Sequence, residues 1–180
     1  MTAESLISLS EREYYSKIAD FLEAGLLYNS GFYSWIIKNM YEIFDKDKET
    51  LQTLLTKYGK IKKTIDLENP FINPIIEYFE TTYSYGEAKA LALVISSFIS
   101  WKMNLIEMDE YYEIRDMFVP FNLPISVEAD RIDDLYAKIL ECKPEKFILF
   151  NRIGGGFTDA DVSNELIKEA LNELNYTPED

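Results

Sequence analysis

Acidic residues number 32 in this chain and histidines number none. That imbalance decides which chemistry is open. Carboxylate oxygens bind hard cations such as Mg²⁺ or Ca²⁺. Without imidazole, the chain has no Ser-His-Asp or Cys-His nucleophile system and no histidine ligand for zinc. Asp45-Lys46-Asp47 and Asp159-Ala160-Asp161 each space two carboxylates closely, and Glu77 and Glu80 are one turn apart. Neither aspartate pair continues into an EF-hand loop, and chance proximity is expected among so many acids. Solvated helix ends and a solvated pair are the expected readings. Gly154-Gly155-Gly156 suggests a phosphate cradle, but no GxxxxGK[ST] or GxGxxG pattern runs from a strand into a helix here. Turn geometry is the expected use of these glycines. Cys142 is the only cysteine, which rules out an intrachain disulfide and fits a reducing compartment.

The elements that would position these groups are helices. Tyr15, Ile18, Leu22 and Leu26 recur at three- and four-residue intervals and predict one helical face. After Asn29-Ser30-Gly31, a second stripe runs through Phe32, Trp35, Ile36, Met40, Ile43 and Phe44. A third is built on Leu51, Leu54, Leu55, Tyr58, Ile61 and Ile65. Pro70 and Pro74 predict a turn, followed by a short helix from Ile75 through Phe79 to about Thr81. Residues 87–104 are apolar on nearly every side, which predicts the buried centre of a bundle. Residues 108–118 give another helix, and Ile132, Leu135, Tyr136, Ile139 and Leu140 a further amphipathic one. The run Phe147-Ile148-Leu149-Phe150, its glycine-rich continuation and Phe157-Thr158 predict a small β-hairpin. Ser163 is expected to cap a last helix whose Leu166, Ile167, Ala170, Leu171 and Leu174 face inward. The fold class expected is mainly α: one multi-helix domain over residues 1–180, with one small hairpin near its C-terminus.

Composition narrows the partners. With 47% apolar and 28% charged residues the chain is an ordinary folding sequence, and 180 residues suffice for a substantial core. The net charge of −14 repels phosphate backbones and anionic lipid, so nucleic acid and membrane are not expected partners. Lys57, Lys60, Lys62 and Lys63 form the one basic cluster, expected as a solvated helix face. No secretory signal is read at the amino terminus and no window reaches transmembrane length, so the expected location is cytoplasmic.

Three segments carry a family resemblance. Residues 16–27, SKIADFLEAGLL, resemble S-G-x-A-E-V-I-K-x-G-L-I. Tyr85-Gly86-Glu87-Ala88-Lys89-Ala90 resembles H-G-E-A-V-A. Residues 147–154, FILFNRIG, resemble F-V-L-L-x-x-I-G, and Asn122-Leu123-Pro124 sits where a G-L-P turn is found. In their order along the chain, over residues 9–174, these landmarks resemble the carboxy-terminal helical domain of 3-dehydroquinate synthase and its sugar-phosphate cyclase relatives. The resemblance implies a chemistry that uses NAD to oxidise a hydroxyl, eliminates phosphate, reduces the ketone and closes a carbocycle. It also implies a zinc ion held by one glutamate and two histidines.

Departures from the family pattern shape what is expected. The metal-binding glutamate aligns with Asp20, one histidine with Tyr85, and the segment of the other histidine shrinks to residues 73–79, beginning at Asn73. Tyrosine is largely protonated near neutral pH and is a poor zinc ligand. At the implied phosphate site a lysine becomes Glu23, and an arginine-bearing segment is missing around residues 66–70. Glu77 falls in the shortened segment, while Lys62 and Lys143 align with basic residues the family retains. Asp20, Asn73 and Tyr85 are thus expected as vestigial metal positions, and Glu23, Lys62, Glu77 and Lys143 as vestigial phosphate positions. The family's NAD-binding domain is not represented, and neither NAD nor zinc is expected to bind this chain alone. The expected function is that of an inactive helical module that binds a protein partner or itself, with its small-molecule ligand unspecified. Two alternatives stand beside it: one half of a split cyclase completed by a separate NAD-binding chain, and an unrelated helical bundle.

Overall fold

In the computed structural model, residues 1–64, 69–156 and 160–176 are described. Ile65, most of the 66–70 stretch, and Phe157, Thr158 and Asp159 lie outside the described residues.

Sequence stripes become helices where caps start and stop them. Helix α1 (Ala3–Ile7) leads into α2 (Glu11–Tyr28), which opens on a capping box between Ser10 and Glu13 and buries Ile18, Leu22 and Leu26. Asn29 ends α2 and its side chain accepts from Phe32 N–H, starting α3 (Ser30–Lys38). The second stripe does not form one helix as expected. It breaks at Asn39, whose side-chain amide donates to Trp35 O at 2.7 Å, and resumes as α4 (Met40–Phe44). Asp47 caps α5 (Lys48–Lys62).

Helix α6 (Ile72–Tyr78) starts earlier than expected. Pro74 stands in its first turn, where a missing N–H costs nothing, and does not bracket a turn with Pro70. The expected centre is α7 (Tyr85–Lys102), buried at Gly86 and continuously from Ala88 to Ser100. It packs against α2, α6, α8 (Met108–Asp116) and α10 (Asn164–Glu173), and α9 (Ile132–Glu141) closes over α6 and α10. Ser163 caps α10 as expected.

Among the described residues, the expected hairpin region shows two isolated antiparallel bridges, Phe147 with Ala160 and Arg152 with Gly155, rather than paired strands. Residues 147–150 are buried in the core, and Phe150 N–H donates to Ser100 Oγ of α7 at 2.8 Å. A separate parallel ladder pairs β1 (Val127–Glu128) with β2 (Asn175–Tyr176).

The triple glycine closes α2. Gly154 N–H donates to Leu26 O at 2.6 Å and Gly156 N–H to Leu27 O at 2.7 Å. These carbonyls belong to the last turn, which lacks partners within its own helix. Gly154 has φ +81°, and a Cβ there would stand 2.7 Å from Ser30 Cα and closer still to its amide nitrogen. Glycine serves that turn and the close approach. Among the described residues no helix is long and apolar enough to cross a membrane.

Candidate functional site

The site lies where α2 crosses the start of α7. Gly86 permits the crossing: a Cβ at this position would stand 2.5 Å from Ser16 Cα and closer to its carbonyl oxygen. Ser84 caps α7 in a capping box with Glu87, and its hydroxyl is hydrogen-bonded to that of Ser16. Arg12 clamps the same corner. Its Nε and Nη2 lie 2.9 and 2.6 Å from the two Glu87 oxygens, and Nη2 also donates to Thr82 O.

With the crossing fixed, positions 16, 20 and 23 of α2 share a face opposite positions 85 and 89 of α7. Lys89 reaches into it. Its Nζ donates to Asp20 Oδ1 at 2.8 Å and to Glu23 Oε2 at 2.6 Å, with side chains only 8%, 19% and 17% exposed. The face of the Tyr85 ring lies alongside, its centroid 5.1 Å from Nζ. Burial alone would push the Lys89 ammonium toward neutrality. The Glu23 and Asp20 carboxylates overcome that and hold it charged, above lysine's ordinary range. Tyr28 and Tyr58 feel the same charges, and burial pushes both phenols up to about 12, so they are neutral.

From the solvent side Asp20 borders two depressions. One, of about 350 Å³, is lined by Arg12, Ser16, Lys17, Tyr83, Tyr85 and Gly86 among others. The second, of about 280 Å³, includes Lys17, Tyr58 and Lys62. Lys17 Nζ lies 3.5 Å from Asp20 Oδ2 at the rim.

Of the residues singled out in the sequence, Asp20, Glu23 and Tyr85 come together, and Lys62 reaches the margin. Asn73 and Glu77 are exposed on α6, and Glu77 pairs with Lys138 at 2.6 Å. Lys143, just after α9, ties to the start of α10, donating to Val162 O at 2.6 Å and Asn164 Oδ1 at 2.8 Å. Lys89 was not singled out. Its signal was present: a lone charge inside a helix apolar on every side requires a buried counter-charge.

The residues do not fit the metal that the resemblance implies. Zinc takes about four N, S or O ligands at roughly 2.0–2.3 Å. Here the oxygens that point inward engage an ammonium, and Tyr85 presents its ring face rather than its oxygen to the cation. Among the described residues no group of three or more Asp, Glu or Cys is placed to hold a metal ion.

No family model matches the chain. Curated relatives do: 3-dehydroquinate synthase of Thermodesulfovibrio yellowstonii is 24% identical over 94% of this chain and 53% of its own length. That of Campylobacter jejuni is 22% identical over 94% of this chain and 55% of its own. The chain therefore spans about half the length of the curated relatives it matches. Among solved structures, 2-epi-5-epi-valiolone synthase of Streptomyces hygroscopicus subsp. jinggangensis, with NAD⁺ and Zn²⁺ bound, superposes with a TM-score of 0.77 at 16% identity. The match covers 96% of this chain and 54% of that one. The chain is thus similar in sequence to 3-dehydroquinate synthases and in fold to a sugar-phosphate cyclase, over a span that fits the C-terminal helical domain alone.

Proposed function

We propose that this chain is a dehydroquinate-synthase-like helical domain that lacks the family's metal-dependent chemistry and acts as a binding or association module in the cytoplasm. One observation carries the reading: the Lys89 ammonium fills the space between Asp20 and Glu23. A bound divalent cation would have to displace a charged group tethered in place by its own helix. Two of the ammonium's three N–H donors are already directed at carboxylates of the same domain.

For the association role, the support is surface character. Tyr41, Val119, Met108 and Ile37 are exposed apolar side chains, and the net charge of −14 turns away nucleic acid. A protein partner or a second copy of the chain is the fitting occupant. The test is metal analysis of the purified chain together with its recovery from the native host. The reading expects no stoichiometric metal and a stoichiometric partner or self-association. Zinc bound one to one and lost in Asp20→Asn would overturn the first half, and a monomer that captures nothing the second.

A second reading, the C-terminal half of a split cyclase, is favoured by the half-length span of the relatives. In this form a separate chain supplies NAD and the missing ligands. Phosphate release on mixing with the candidate partner chain would establish it. No turnover and no metal in the mixture would dismiss it.

A further inference from the structure

We infer that Asp20, Glu23 and the Tyr85 ring form a binding site for a primary ammonium ion that Lys89 occupies covalently. The inference rests on the reading above that Lys89 holds the cation position, and it goes further by assigning the site its ligand chemistry. Two carboxylate oxygens at 2.8 and 2.6 Å are at ordinary lengths for charge-assisted N–H···O bonds. An aromatic face 5.1 Å from the nitrogen adds quadrupole attraction for an organic cation. Hydrogen-bonding acidic groups on one side and a π face on the other suit R–NH₃⁺. They suit a metal ion poorly, because a ring face is not a ligand atom.

The site also has a route to solvent. Asp20 and Tyr85 both line the 350 Å³ groove, so a small amine released from or admitted to the site need not cross the core. Lys89→Ala leaves Cβ in place and deletes the atoms of n-propylammonium, which is therefore the probe.

The experiment compares thermal unfolding of the wild-type chain and Lys89→Ala during titration with n-propylammonium chloride. Sodium chloride and tetramethylammonium chloride serve as controls for ionic strength and for a cation without N–H donors. Without amine, Lys89→Ala should unfold about 10 °C lower, because two half-buried carboxylates lose the ammonium between them and Asp20 is left with Lys17 at the rim. Propylammonium should restore a saturable part of that loss, the controls should not, and wild type should not respond. Adding Asp20→Asn or Glu23→Gln to Lys89→Ala should abolish the response. If Lys89→Ala folds poorly, refolding in propylammonium should recover it, and no gain in either format overturns the inference. Rescue by Zn²⁺ instead of the amine overturns it as well. The outcomes separate cleanly from those of the proposed function, which fails only on metal content, turnover or association of the unmodified chain.

Discussion

Tyr85 and Lys89 stand one turn apart on α7, and the Lys89 ammonium lies 5.1 Å from the centroid of the Tyr85 ring. Tyr85 is 54% exposed, so its attraction for the cation is that of a solvated pair, about 0.5–1 kcal/mol. Tyr85→Ala is expected to lower unfolding free energy by about that amount in urea titrations. Tyr85→His, which introduces an imidazole at this position, should still take up no stoichiometric zinc, because Lys89 remains between the carboxylates. Zinc found in Tyr85→His by elemental analysis would show that the ammonium does not block the position.

Removing the ammonium without removing its bulk isolates the charge. Lys89→Met leaves Asp20 and Glu23 facing each other partly desolvated, and breaking such a buried pair costs about 3–5 kcal/mol. Combining it with Asp20→Asn and Glu23→Gln should recover most of the loss, since a neutral cluster of similar volume needs no counter-ion. Urea midpoints across the single, double and triple variants measure the coupling. Strictly additive losses would contradict it.

Gly86→Ala tests the helix crossing. The added methyl carbon meets Ser16 backbone, which cannot turn away as a side chain can. Helix propensity alone would favour alanine by about 1 kcal/mol, so a net loss of about 2 kcal/mol or more would be due to overpacking. Near-neutral stability by chemical denaturation would mean that α2 and α7 separate easily.

Acid should loosen the corner that positions α7. Burial pushes the Glu87 carboxyl up, but the Arg12 guanidinium and the Ser84 amide and hydroxyl outweigh it and hold the group below its ordinary 4.5. A depressed folded pKa contributes stability that is present above the unfolded value, near 4.5, and lost as pH falls through the folded value. Glu87→Gln should therefore flatten the acid limb of the stability profile while lowering stability at neutral pH. Equal steepness in both proteins below about pH 4.5 would assign the acid limb to other carboxylates.

Legibility from sequence followed locality. The faces of α2, α5 and α9, the Ser163 cap and the buried character of α7 each depend on neighbours within a few residues, and periodicity exposes them. The break at Asn39 did not show, because apolar spacing continues through it and the decisive bond is a side chain reaching back one turn. The β1–β2 ladder is two residues long on each side, too short to leave an alternating pattern. Lys89 meets acids 69 and 66 residues away, so its own surroundings announce that a partner must exist and cannot say which. The same distance effect kept Glu77 and Lys143 on the site roster: alignment placed them there, whereas packing ties them to Lys138 and to the α10 start.

The amides of Gly154 and Gly156 finish a helix begun near residue 11. A nascent chain on the ribosome thus cannot seal α2, the carrier of Asp20 and Glu23, until more than 120 further residues have emerged. Closure of the α2 C-terminus is consequently a late event, coupled to synthesis of residues 154–156, and high sequence separation of this kind slows folding.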